Sequence, residues 1–129
     1  MLNYLKKIFS IFLIFNLTFV SSAQAAATFV DSFDVSTQDT TPRGLAFNND
    51  GTKMFVVGDT GNDINSYTLS TGFDLSTATF NDINGDGSGF DVSDQDEATR
   101  GIAFNNDGTI MYYIGNTGDD INVYTLSTG

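Results

Sequence analysis

A long internal repeat limits what this chain can fold into. Residues 33–72 align without a gap to residues 90–129, and 28 of the 40 aligned positions are identical. Residues 28–29 match 79–80 at a shorter offset, so the second copy has six additional residues within 81–89. A period of about 50 residues is typical of architectures in which each repeat buries its apolar surface against the next one. The sequence therefore predicts a first repeat at 28–77 and a second repeat at 78–129.

Each repeat contains strand-like runs separated by turn residues. In the first repeat these runs lie at 43–47, Lys53–Gly58 and Asp63–Leu69, and Asn-Asn-Asp-Gly, which tolerates positive φ, joins the first two as a hairpin. A fourth run covers 28–35, and its counterpart in the second repeat starts near Ala78. The run Lys53–Gly58 is apolar on both alternating faces, as is typical of a strand buried on both sides. We expect an all-β chain of four-stranded antiparallel units.

The residue inventory excludes several classes of function. The chain has 16 acidic and 5 basic residues, and it contains neither cysteine nor histidine. Disulfides, zinc fingers, haem ligation and Ser-His-Asp or Cys-His catalysis are therefore excluded. The three basic residues beyond position 10 are too few to neutralise the phosphates of a nucleic acid. We assign no catalytic and no cofactor-binding residue, and the sequence favours a non-enzymatic protein while leaving an enzyme open.

The first 25 residues have the pattern of a secretory signal peptide. Lys6 and Lys7 precede a mostly apolar run at 8–20, and residues 21–25 end in the small-x-small pattern of a cleavage site. The run is shorter than the roughly 20 residues of a spanning helix. We therefore expect a secreted, periplasmic or cell-surface protein that has no membrane contact after cleavage. The mature chain has 16 acidic and three basic residues, a net charge of −13.

The stretch PRGLAFNNDGTKMFVVGDTGNDINSYTLSTG at 42–72 resembles the repeat of YVTN-type and NHL-like β-propeller proteins of the secreted bacterial type, and residues 100–129 match equally well. The resemblance implies four-stranded antiparallel blades. Propellers close with about 4 to 8 blades, whereas this chain has material for two, so we predict an incomplete propeller. The chain is then part of a longer protein, which we favour, or several chains associate and the residues at 28–35 complete a neighbour's blade. The resemblance assigns no catalytic residue.

The additional residues of the second repeat begin like a calcium-binding loop. Asp82, Asn84 and Asp86 alternate, a glycine follows, and Asp91 is the next carboxylate. Such alternation directs hard oxygen ligands toward one centre, and glycine permits the sharp turn. The loop also resembles the DxNGDG loops of calcium-binding propellers, but Ser93 occupies the position of the final glutamate of an EF-hand. The sequence predicts a calcium site at these four residues, with an acidic glycine-rich connection as the alternative.

Two further charged features recur in the repeat. The acidic residues at 94–97 are expected to form a solvated loop. Arg43 and Arg100 occupy the same repeat position, where they could bind an anion on one face of a ring. We favour instead an ion pair of each arginine with the carboxylate four residues earlier, Asp39 or Asp96.

These observations favour a secreted or cell-surface repeat protein with a non-enzymatic binding or scaffold role, stabilised by calcium. Its expected partner is a protein or an extracellular polymer, and it would be a homo-oligomer if the chain is complete. The main alternative is the N-terminal fragment of a lactonase-like or hydrolase-like propeller enzyme whose active site lies in other blades. A two-blade lectin-like subunit is a third hypothesis, against which the absence of tryptophan counts.

Overall fold

The computed structural model describes residues 26–126, in which antiparallel strands are joined by turns and irregular segments. The predicted signal peptide at 1–25 lies outside the described residues. A 3₁₀ turn occurs at Leu75–Thr77. The strands are β1 (Pro42–Phe47), β2 (Lys53–Gly58), β3 (Asp63–Leu69), β4 (Ala78–Phe80), β5 (Phe90–Asp91), β6 (Thr99–Phe104), β7 (Ile110–Gly115) and β8 (Ile121–Thr125). Three strands predicted for the first repeat are thus confirmed, with β1 starting one residue early.

The strands form two antiparallel sheets. The first sheet has the order β1-β2-β3-β4, with β5 also paired to β3, and the second has the order β6-β7-β8. The registers correspond between the repeats, since Met54 lies opposite Tyr67 and Met111 lies opposite Tyr124. The all-β antiparallel prediction is confirmed. Within residues 26–126, however, the sheets close into neither a barrel nor a propeller.

The prediction of a strand at 28–35 is wrong. Residues 26–35 have no assigned secondary structure, although they correspond in sequence to the segment that contains β4 and β5. The reason is the direction of pairing: β4 and β5 both bond to β3, which precedes them in the chain. Among the described residues, no strand equivalent to β3 precedes residues 28–35. This segment therefore has no neighbouring strand with which to pair.

The two Asn-Asn-Asp-Gly turns form as expected, and the aspartate of each turn accepts hydrogen bonds. In the first turn Asp50 Oδ1 accepts hydrogen bonds from the backbone N–H and the hydroxyl of Thr52, while Asn48 Oδ1 accepts from the N–H of Lys53. Gly51 has a φ of 71°, which lies in the left-handed region that favours glycine. The second turn repeats the same bonds, so both hairpins depend on local side-chain acceptors.

The two sheets stack face to face. Each sheet has a leading face, which includes Met54 and Val56 in the first sheet, and a trailing face, which includes Val57 and Ile64. The trailing face of the first sheet packs against the leading face of the second, where Met111 and its neighbours are buried. The β2 strand is therefore buried on both sides, as predicted, whereas its counterpart β7 is buried on the leading face only.

Because of this stacking, the isoleucine at one repeat position is buried in the first repeat and exposed in the second. Ile64 is 3% exposed in the interface between the sheets, and Ile121 at the corresponding position is 67% exposed. We expect Ile64→Ala to lower the free energy of unfolding by about 2–4 kcal/mol through lost burial and cavity formation. Urea denaturation of the purified protein at low concentration measures the change.

Ile121→Ala is the matched control, with an expected change within about 0.5 kcal/mol because the side chain has little burial to lose. Equal destabilisation by the two variants would contradict the asymmetric packing of the two repeats.

Candidate functional site

Three of the predicted calcium-binding residues, Asp82, Asn84 and Asp86, lie in an exposed connection between β4 and β5, and Asp91 is the last residue of β5. Asp82 uses both carboxylate oxygens inside this loop, accepting from the backbone N–H of Gly85 at 2.6 Å and of Gly87 at 3.0 Å. Asn84 donates its amide to the carbonyl oxygen of Gly89 at 3.0 Å. These bonds shape the turn from within.

The other two predicted ligands hold separate small turns. Asp86 accepts from the N–H and hydroxyl of Ser88, and Asp91 accepts from the N–H of Ser93 at 2.8 Å. The hydrogen bond from the Ser88 hydroxyl is the main cause of a pKa of Asp86 below its usual value. The hydrogen bond from the N–H of Ser93 is the main cause of the lowered pKa of Asp91. Both groups are therefore carboxylates at neutral pH.

The oxygen atoms of these side chains suit calcium, but the side chains do not converge on one point. Among residues 26–126 no group of three or more acidic side chains is placed to share a metal ion. Each predicted ligand instead completes a local hydrogen-bonded turn, so a bound cation would require these turns to rearrange. Calcium binding stays a prediction of the sequence.

A buried carboxylate anchors the end of this connection. Asp63 is 6% exposed and accepts from the N–H of Gly89 at 2.9 Å and from the side-chain amide of Asn65 at 2.8 Å. Its position ties the loop to the start of β3. Sequence analysis missed this role because it depends on a contact between residues 26 positions apart.

Arg43 and Arg100 share one carboxylate, so the expectation of separate local pairs was wrong. Arg43 Nη2 lies 2.7 Å from Asp59 Oδ2, and Arg100 Nη1 lies 2.7 Å from Asp59 Oδ1. The hydrogen bond from Arg43 is the main cause of a pKa of Asp59 below its usual value, and the charge of Arg100 lowers this pKa further. This cluster links the two repeats across the sheet interface.

The partners expected for the two arginines are buried instead. Asp39 and Asp96 are each 1% exposed, which also makes the expectation of a fully solvated loop at 94–97 wrong for Asp96. Asp96 accepts four hydrogen-bonding N–H groups, from Ala98, Asn116, Thr117 and Gly118. The recurrence of aspartate at this repeat position is the sequence signal that could have indicated a structural role.

Exposed apolar side chains occur at both ends of the stacked sheets. On the trailing face of the second sheet, Ile114 is 46% and Val123 58% exposed. At the other end, a groove of about 560 Å³ lies on the leading face of the first sheet and is lined by Leu45, Phe47 and Phe73, among others. Contiguous exposed apolar surfaces often mark places where another molecule binds.

Comparisons with protein-family models, with curated proteins and with solved structures give no match for this chain. The resemblance to YVTN-type and NHL-like repeats therefore stays a prediction. In the part of the chain that the structure describes, no helix is long and apolar enough to cross a membrane.

The buried Asp96 carboxylate gives a test of pH dependence. Burial raises the pKa of Asp96, but the backbone hydrogen bonds outweigh this effect and lower the pKa below 3.8. The resulting stabilisation is complete above the unfolded-state pKa of about 4 and is lost as the pH falls through the lower folded-state pKa. We expect Asp96→Asn to cost about 2–3 kcal/mol at pH 7, because the new NH₂ group faces backbone donors.

Denaturant unfolding between pH 7 and pH 2 measures both effects, and the difference between wild type and Asp96→Asn should shrink at the acidic end. Asp94→Asn, an exposed change two residues away, is the control. A constant difference across this pH range would contradict the charged hydrogen-bonded state of Asp96.

Proposed function

We propose that this protein is a secreted or cell-surface protein built from propeller-like blades, with a non-enzymatic role in binding or scaffolding. The observation that supports it most is the stacking of two antiparallel sheets, in which the trailing face of the first sheet packs against the leading face of the second. Neighbouring blades of a propeller pack in this manner. The proposed partner is a protein or an extracellular polymer, and nucleic acid is disfavoured by the strongly acidic composition.

A close approach between the sheets at Gly44 agrees with the proposed blade arrangement. A Cβ atom on Gly44 in β1 would lie 3.0 Å from the carbonyl oxygen of Arg100 in β6, so glycine allows these first strands to approach. The hydroxyl of Thr99 also donates to the carbonyl oxygen of Gly58 at 2.8 Å, across the interface. In a propeller the first strands of successive blades converge near the axis, and the proximity of β1 and β6 supports such an arrangement.

The alternative is a propeller enzyme of the lactonase or hydrolase type. Such an enzyme needs two titratable groups whose environments separate their pKa values. The perturbed carboxylates of the described residues serve turns, the Arg43–Asp59–Arg100 cluster or the buried backbone contacts of Asp96. These local structural uses favour the binding role.

A cell-binding measurement tests the proposal. Mature protein labelled with a fluorophore should bind saturably to the outer surface of the producing cells, and excess unlabelled protein should compete. Mass spectrometry of the secreted protein should show cleavage after Ala25. Turnover of a panel of aryl esters and lactones above the buffer rate, with no saturable cell binding, would favour the enzyme alternative.

Calcium stabilisation is the second part of the proposal, supported by the oxygen donors of the 82–91 segment. We expect 1 mM calcium to raise the melting temperature by several degrees, because a ligand that binds only the folded state stabilises it. Differential scanning calorimetry in chelator-treated buffer, with and without calcium, measures this shift.

Asp86→Asn should abolish the shift, whereas Asp94→Asn, outside the proposed ligands, should retain it. A wild-type melting temperature that is independent of calcium would remove the metal from the proposal and leave the binding role intact.

A further inference from the structure

Apolar side chains are exposed at both ends of the stack in the described chain, although Met54 and Val56 on the leading face of the first sheet are buried. The trailing face of the second sheet presents Ile114, Ile121 and Val123, which are 46%, 67% and 58% exposed. The leading face of the first sheet presents Leu45, 58% exposed, beside the 560 Å³ groove. Exposed apolar surfaces of this kind often mark sites where another molecule binds.

These exposed surfaces correspond to the two surfaces that pack against each other inside the chain. Ile121 on the exposed trailing face corresponds to Ile64 in the internal interface, and Leu45 on the exposed leading face corresponds to Ile102. The trailing face of the first sheet thus already binds the second repeat's version of the exposed leading face. A second copy of this chain offers the same pair of surfaces in the same relation.

Among residues 26–126, no strand equivalent to β4 or β5 pairs with the second sheet. In the first sheet Tyr67 pairs with Phe80 of β4, and Ile64 pairs with Phe90 of β5. β8 corresponds to β3, and among residues 26–126 it pairs only with β7. Its other edge therefore offers backbone donors and acceptors to an additional strand.

The segment at 28–35 matches these outer strands in sequence. Its sequence corresponds to β4 and β5, and it has no strand partner among the described residues. The register of the first sheet would place Phe29 of one molecule opposite Tyr124 of another, and Phe33 opposite Ile121. The spacing between the two pairs differs by one residue, which a single β-bulge accommodates.

The charged contact of the internal interface is altered at the exposed end. Asp59 pairs with Arg43 of its own repeat and with Arg100 of the next repeat. Asn116 occupies the position that corresponds to Asp59. In a contact between two molecules, Arg43 of the second molecule would meet this amide in place of a carboxylate. Association between molecules is then weaker than the internal packing.

We propose that the trailing face of the second sheet binds the leading face of the first sheet of a second copy of this chain, head to tail. Residues 28–35 of the second copy add a strand to β8 of the first. The interface is heterologous, so association continues into a ring or an open filament. This inference rests on the two sheet faces, the edge of β8 and the sequence of residues 28–35, and it depends on neither the scaffold role nor calcium.

The test uses the protein secreted from the full chain, studied by sedimentation velocity over a range of concentrations in chelator-treated buffer. Wild-type protein should form species larger than a dimer as its concentration rises. Leu45→Asp blocks the leading face and Val123→Asp blocks the trailing face, and each change should weaken association at least about tenfold by placing a charge in an apolar contact. Both side chains are exposed, so the monomers should keep the wild-type circular dichroism spectrum.

Mixing the two variants distinguishes a head-to-tail contact from a symmetric one. Val123→Asp retains its leading face and Leu45→Asp retains its trailing face, so the mixture should form a one-to-one dimer that grows no further. Ile83→Asp, an exposed change in the loop between β4 and β5, is the control and should assemble like wild type. Wild-type protein that stays monomeric up to about 1 mM, or variants that associate normally, would overturn the proposal.

Asn116→Asp tests the register. Restoring the carboxylate opposite Arg43 of the second molecule should tighten association by roughly threefold to tenfold at low salt, and added salt should reduce the gain. Association unchanged by Asn116→Asp at low salt would contradict the proposed alignment of the two molecules.

Discussion

The packing of one sheet against the other is the contact on which the rest of this structure depends. A three-stranded or five-stranded sheet with two apolar faces cannot bury both of them alone, and stacking buries one face of each. Val57 on the first sheet and Met111 on the second meet in this interface, and both are almost fully buried. The ion cluster around Asp59 and the close approach at Gly44 both lie where this stacking brings β6 beside β1 and β2.

Much of the local structure could be predicted from the sequence because its causes are local. The strand-forming alternation and the Asn-Asn-Asp-Gly hairpins are encoded within five to seven residues, and β2 and β3 have the predicted bounds. The segment at 28–35 has the same composition as an outer strand but no partner strand among the described residues, and a sequence pattern does not report pairing. Whether residues 28–35 form a strand depends on a neighbouring strand and not on their own sequence.

The candidate site was less predictable because an aspartate can serve several purposes. The spacing of Asp82, Asn84 and Asp86 identifies oxygen donors, but not whether they point at a shared centre or at their own backbone. Asp96 has neighbours of similar composition in the sequence, yet it is buried under four backbone donors that lie in two separate segments. Arg100 pairs with Asp59 and not with Asp96, which is nearer in the sequence, because the packing of the sheets brings Asp59 close to Arg100 in space.

The acidic surface sets conditions on how the exposed apolar faces behave in solution. Residues 26–126 contain 16 acidic and three basic side chains, so two molecules repel each other at long range. This repulsion decays over about 8 Å at physiological ionic strength and over about 30 Å in dilute buffer. Charge repulsion therefore opposes contact between the exposed apolar faces of two molecules more strongly in dilute buffer than at physiological ionic strength.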